Sequence, residues 1–303
     1  MSPTAAPSPA GTETDVIRYT ITQQWLNGSH GPMRYWSSTP HHGQPILLIH
    51  GYGAMIEHWR RVMRPIARHH TMYALDMYGF GYSTVPRVAP SKYLWADQIA
   101  TFVRTVVQQP VIIVGHSMGG MASAQFARDY PDLVQRLVLV NNTGLMPQEG
   151  ATPSSPTDRL LFQMIRAPLM GEMLAGVLTQ PWSVRNNLLR AYHRKEMVTD
   201  ELVQTFYAPL RRPGAIPFYL SVSRNFQSFL LDIQPGEIQV PTLLLWGAED
   251  WSLPPSFATT YREQMVPQAD IQFIPESGHC PFDETPEAFY QALLSWVDQH
   301  ATI

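Results

Sequence analysis

The sequence predicts an α/β protein, with a mostly parallel central sheet flanked by helices and a helical segment inserted late in the series of strands. Three observations predict it. Short apolar runs alternate with helical stretches through most of the chain, as parallel strands joined by crossovers require. One run, Val111-Ile112-Ile113-Val114, feeds directly into Gly115-His116-Ser117-Met118-Gly119 and then into a small-residue helix, Gly120-Met121-Ala122-Ser123-Ala124. Between 145 and 232 strand signals vanish, and helical runs alternate with prolines instead.

In chain order, residues 1–15 are rich in Pro, Ala, Ser and Thr and hold no apolar stretch. They are expected to form a flexible tail rather than a secretory signal, which needs a charged start and an apolar core. Residues 16–25 and 33–38 alternate enough to form an antiparallel hairpin around Asn27-Gly28. Strands are expected over 46–50, 71–75, 111–114, 137–141, 242–246 and 271–274, and the crossover helices include 95–108 and 286–300. The core is thus assigned to 16–144 and 233–303. Residues 145–232 are expected to form a helical cap closing over Ser117, with helices over 158–170, 184–192 and 200–207. Its run of Leu160, Leu161, Phe162, Met164, Leu169, Met170, Met173, Leu174 and Trp182 is a candidate apolar pocket lining, although such side chains taken singly usually just pack a helix.

The pentapeptide at Ser117 carries the chemistry. A nucleophilic serine must sit on a turn sharp enough to push its hydroxyl out of the sheet, and large neighbours would block that turn. Gly115 and Gly119 supply the room. As an isolated string Gly-x-Ser-x-Gly is common; between a strand and a helix it marks a nucleophile elbow. Backbone N–H groups at the helix start can hold an oxyanion there, with the Met118 N–H as the first candidate donor.

Two further pieces follow downstream. Thr242-Leu243-Leu244-Leu245-Trp246 is an apolar strand announced by Pro241, and it runs into Gly247-Ala248-Glu249-Asp250. Either acid could carry the charge; the last position, Asp250, is the better placed. After the strand Ile271-Gln272-Phe273-Ile274 comes the loop Glu276-Ser277-Gly278-His279. The order Ser117, Asp250, His279 distinguishes this arrangement from the two other familiar serine-triad orders. His279 would be the general base, and Asp250 would fix its tautomer and stabilise the imidazolium. His116 is expected either to support the site from behind or to pack in the core, because a residue next to the nucleophile on an elbow points its side chain away from it. Upstream, the apolar strand Pro45-Ile46-Leu47-Leu48-Ile49 ends in His50-Gly51-Tyr52-Gly53, where the Tyr52 N–H is the candidate second oxyanion donor.

These motifs together resemble the α/β-hydrolases of the capped, serine-nucleophile type, and the likeness runs from about Val16 to the C-terminus. It includes the turn Leu75-Asp76-Met77-Tyr78-Gly79-Phe80-Gly81-Tyr82-Ser83, similar to the family's stretch after its fourth strand. Within the family, His50-Gly51-Tyr52-Gly53, Glu57-His58-Trp59-Arg60, Asp250-Trp251 and Gly278-His279-Cys280-Pro281-Phe282-Asp283-Glu284 resemble pheophytinase-like and chlorophyll-dephytylating esterases, and the C–C bond hydrolases of ring-cleavage products. Epoxide hydrolases and haloalkane dehalogenases of this fold carry aspartate at the elbow, and dienelactone hydrolases cysteine; here the residue is Ser117. The expected reaction is ester hydrolysis through an acyl-enzyme, and the apolar run of the cap, with no obvious arginine clamp around Ser117, predicts a neutral, hydrophobic ester. Rival readings are C–C hydrolysis of a dienoate, amide cleavage, peracid formation, or a non-catalytic receptor on the same fold.

Composition agrees with a globular enzyme. The chain has 303 residues, 45% hydrophobic and 15% charged, and a net charge of −3. Lys92 and Lys195 are the only lysines and the arginines are scattered, so no nucleic-acid footprint and no basic run for an anionic membrane appear. Cys280 is the single cysteine, which excludes an intrachain disulfide and leaves a cytoplasmic location as the default expectation. Its place beside His279 is read as that of a small apolar residue. Neither the Cys/His spacing of a zinc site nor a complete phosphate-binding glycine pattern is found, so no metal and no organic cofactor is implied. The expected partner is a small hydrophobic ester, with no stable membrane insertion.

Overall fold

The computed structural model describes residues 19–145, 176 and 179–300. Its eight strands, β1 (Thr20–Gly28), β2 (Gly31–Thr39), β3 (Pro45–Ile49), β4 (Thr71–Leu75), β5 (Val111–His116), β6 (Val134–Val140), β7 (Thr242–Gly247) and β8 (Asp270–Ile274), form one sheet in the order β1-β2-β4-β3-β5-β6-β7-β8. β1 and β2 make an antiparallel hairpin, but its turn is Ser29-His30: Asn27 and Gly28, where the turn was expected, are the last paired residues of β1; β2 pairs antiparallel with β4, and every later pairing is parallel. Every residue of β3, β4, β5 and β7 is buried, as apolar strands covered by helices on both faces should be. This is the α/β-hydrolase fold.

The flanking helices are α1 (Arg60–Ala67), α2 (Lys92–Phe102), α3 (Met118–Asp129), α4 (Pro181–Ala191), α5 (Asp200–Leu210), α6 (Ala215–Arg224), α7 (Ser256–Gln264) and α8 (Pro286–Gln299). Ser91 caps α2 by accepting the Leu94 N–H at 3.1 Å. The single helix expected over 95–108 is divided: α2 gives way to a π-helical turn over Val103–Val107, closed by the Gln108 N–H on the Val103 carbonyl at 2.7 Å. Gln108 ends it in the left-handed region at φ 59°.

Between β6 and β7 the described residues hold α4, α5 and α6 and no strand. α6 has no counterpart among the helices expected from the sequence, because Pro213 and Pro217 suggest a break there. Pro217 lies in its first turn, where a missing N–H costs no hydrogen bond. Of the expected pocket run, only Trp182 is described, and at 55% exposure it faces outward rather than into a pocket. Residues 160–174 and the tail 1–15 lie outside the described residues. No helix among the described residues is long and apolar enough to cross a membrane.

Candidate active site

The C-terminal ends of parallel strands point to one edge of the sheet, so the loops after β3, β5, β7 and β8 meet there. Ser117 stands between β5 and α3 with φ 52° and ψ −119°, a conformation a side-chain-bearing residue adopts only when its surroundings enforce it. The surroundings do. The Ser117 N–H donates to the Val140 carbonyl at 2.9 Å, and its carbonyl accepts the N–H groups of Gly120, Met121 and Thr143 at 3.0–3.2 Å. A methyl group on Gly119 would lie 2.3 Å from the His50 carbonyl oxygen, so glycine is required where the elbow presses on the end of β3.

Asp250 is buried at the end of β7. Its Oδ2 accepts His279 Nδ1–H and Asn141 Nδ2–H, both at 2.7 Å. Its Oδ1 accepts the N–H groups of Ser252 and Leu253 at 2.9 and 3.0 Å, and the Ser252 hydroxyl at 2.8 Å. Burial alone would raise the carboxyl's pKa. The imidazole beside it and these hydrogen bonds outweigh that effect and hold it below the ordinary aspartate value. Glu249 points elsewhere, with Oε2 accepting the Ser277 N–H at 3.0 Å. Of the two acids that the sequence leaves in competition, Asp250 therefore reaches the histidine.

Ser117 and His279 line one cavity of about 500 Å³, whose far wall is supplied by the inserted helices through Val184, Leu188, Phe206, Leu210, Ile216 and Tyr219. Neither arginine nor lysine appears among the described residues lining it. Tyr52 also lines the cavity. The Gly51 carbonyl is held by His50 Nδ1–H at 2.8 Å and by the Ala54 N–H at 3.3 Å. In a trans peptide the N–H points opposite to the carbonyl, so these bonds fix the direction of the Tyr52 N–H. Met118 is the first residue of α3, whose opening N–H groups have no acceptor within the helix. The Tyr52 phenol bonds the Tyr219 carbonyl and the Ser223 hydroxyl, both at 3.2 Å, and so joins the loop after β3 to α6.

His116 is buried, yet it lines the cavity beside Ser117 and His279 rather than turning away into the core. Its Nε2–H donates to the His279 carbonyl at 2.9 Å, and burial, reinforced by the neighbouring His279 and His58, lowers its pKa well below the ordinary histidine value. Cys280 is buried on the cavity wall, where burial and then the Glu284 and Asp283 carboxylates push its thiol well up, keeping it protonated.

Three contributors escape sequence reasoning. Asn141 orients Asp250, and its own Oδ1 accepts the Gly247 N–H at 3.0 Å. His58 donates Nε2–H to the Tyr192 phenol at 2.9 Å, which donates in turn to Asp283 Oδ2 at 2.6 Å. Glu284 binds backbone from two segments. Asn141 ends a strand on the active edge, which is a usable signal; the other partners are far apart in sequence and give none.

Fold and site place the chain among the α/β-hydrolases. It matches the α/β-hydrolase fold family over residues 44–286 and belongs to it, as a hydrolase of that superfamily. The chain is 27% identical over 271 residues to the 2-hydroxy-6-oxo-6-(2'-aminophenyl)hexa-2,4-dienoic acid hydrolase of Metapseudomonas resinovorans, with 86% of each chain covered. It is 23% identical over 296 residues to the chloroplastic pheophytinase of Arabidopsis thaliana, covering 83% of this chain but only 60% of that protein's length. Among solved structures, a serine hydrolase involved in carbazole degradation superposes with a TM-score of 0.76 at 23% identity, over 92% of this chain and 100% of that one. At that identity the likeness is one of fold.

Proposed function

We propose that the protein is a serine hydrolase that cleaves neutral, hydrophobic carboxylic esters. The observation that carries this reading is the 2.7 Å bond from His279 Nδ1 to buried Asp250, on a histidine sharing a cavity with Ser117 at its strained elbow. In this reading Ser117 Oγ attacks the ester carbonyl while His279 Nε2 takes its proton, and Asp250 stabilises the imidazolium. The N–H groups of Tyr52 and Met118 hold the tetrahedral oxyanion. His279 then protonates the leaving alcohol, and a water that gives its proton to His279 releases the acid. The helices between β6 and β7 act as a cap whose apolar wall selects the substrate.

A second reading, C–C hydrolysis of a dienoate, is favoured by the dienoic acid hydrolase among the relatives. Such a substrate carries a carboxylate, and the absence of a cation among the described lining residues speaks for the neutral ester. The test is kcat/KM across p-nitrophenyl acetate to dodecanoate, measured beside a ring-cleavage dienoate. A rise with chain length supports the ester reading. A flat or falling series with efficient dienoate cleavage replaces it with the second.

A further inference from the structure

Glu284 is fully buried, and its carboxylate accepts four backbone N–H groups. Oε1 takes those of Gly278 at 3.0 Å and Cys280 at 3.1 Å, the residues on either side of His279. Oε2 takes those of His193 at 2.7 Å and Arg194 at 2.9 Å, in the segment that leaves α4. The His279 N–H donates to the Ala191 carbonyl at 3.0 Å. A methyl group on Gly278 would sit 2.7 Å from the His193 nitrogen and 2.8 Å from the Ala191 oxygen, so the two backbones touch with no side chain between them. Charge-assisted bonds to a dry carboxylate are the strong ones, and four of them offset part of the cost of burying it. Burial pushes the Glu284 carboxyl upward, and these four N–H groups oppose that rise.

We propose that Glu284 is a positioning residue for His279, and that it holds the base in place by tying the histidine loop to residues 193 and 194 of the inserted segment. The inference rests on the serine-hydrolase reading. Its content is that part of the insertion is a structural member of the catalytic loop, besides forming the wall of the cavity. The mechanism is geometric: a loop clamped on both sides of one residue fixes that residue's backbone, and the 2.7 Å contact to Asp250 then fixes its ring.

Glu284→Gln is the first test. The amide retains one acceptor oxygen, and its NH2 must face two N–H donors. We expect kcat to fall by roughly 10- to 100-fold while KM moves by less than about 3-fold, because a displaced base affects the chemical step. The far-downfield Nδ1 proton resonance of His279 should broaden or move, which a loss of stability alone would not produce. Arg194→Pro reads the same tie from the other side and decides the matter should E284Q not fold. Residue 194 has φ −82°, which proline accepts, and the substitution deletes one N–H donor to Glu284. Arg194→Ala removes the same side chain but keeps that donor, so a loss in R194P beyond that in R194A reads the backbone tie of residues 193 and 194 to Glu284. A folded E284Q, or R194P beside R194A, with wild-type kcat and an unmoved Nδ1 resonance overturns the proposal. If instead the wild-type protein neither hydrolyses esters nor is labelled by a fluorophosphonate at Ser117, the underlying reading fails.

Discussion

The elbow and the inserted helices face the same cavity from opposite sides, and they are built differently. Around Ser117 the geometry is set by main-chain hydrogen bonds to β6 and by glycine packed against the His50 carbonyl, amid residues that are almost all buried. Across the cavity, α4 and α5 offer one buried stripe each, Val184 and Leu188 or Leu202, Val203 and Phe206, with exposed residues on the opposite face. In the proposed reading the first region carries the attack on the ester, so substitutions there should cost orders of magnitude; the second shapes the space for the substrate, so substitutions there should cost factors of a few per contact.

Short of removing the nucleophile itself, the largest effect expected on the chemical side is that of Asp250→Asn, which leaves the imidazole badly oriented and should lower kcat on the order of 10⁴-fold. Glu249→Gln, whose carboxylate accepts the Ser277 N–H and not the histidine, should cost far less. Steady-state kinetics on one ester ranks the two, and the reverse ranking would move the acid to Glu249. Gly119→Ala should come next. Its methyl has no space beside the His50 carbonyl, so the protein should lose about 1–3 kcal/mol in denaturant unfolding, with a fall in kcat from the displaced elbow. Wild-type stability and activity in this variant would show that the elbow relaxes more readily than its contacts imply.

The chemical side should also be the pH-sensitive side. His50, His58 and His116 are buried, and in each case burial is the first cause of a lowered pKa. In the unfolded chain each takes a proton near the ordinary value of 6.5, while in the folded protein it stays neutral. Stability is therefore complete above that pH and is lost below it, by up to about 1.4 kcal/mol per pH unit for each histidine. Urea midpoints between pH 7 and 5 measure this, and a flat profile would contradict it. The smallest effect belongs to the insertion: each methylene added to the acyl chain should contribute up to about 0.8 kcal/mol to kcat/KM until the cavity is full.

The same contrast governs what could be read from the sequence. The strands, the elbow and the order Ser117, Asp250, His279 were legible because each is local: an apolar run of fixed length, then a turn with a required residue type. The choice of Asp250 over Glu249 needed the path of a turn whose two carboxylates diverge. In the insertion, α6 was hidden because Pro217 punctuates a sequence and yet is harmless in the first turn of a helix. Trp182 was misjudged because an amphipathic stripe does not say which way a tryptophan at the helix start will turn. Tyr192 and Glu284 act through contacts between residues distant in the chain, and no local pattern announces such contacts; Asn141 offers only its place directly after β6.

The most direct test of the central claim is covalent. A fluorophosphonate should label the wild-type protein at Ser117, as read by peptide mass spectrometry, and Ser117→Ala should abolish that label and lower kcat on a medium-chain ester by at least ~10³-fold. Labelling at another residue, with ester hydrolysis surviving in S117A, would contradict the account.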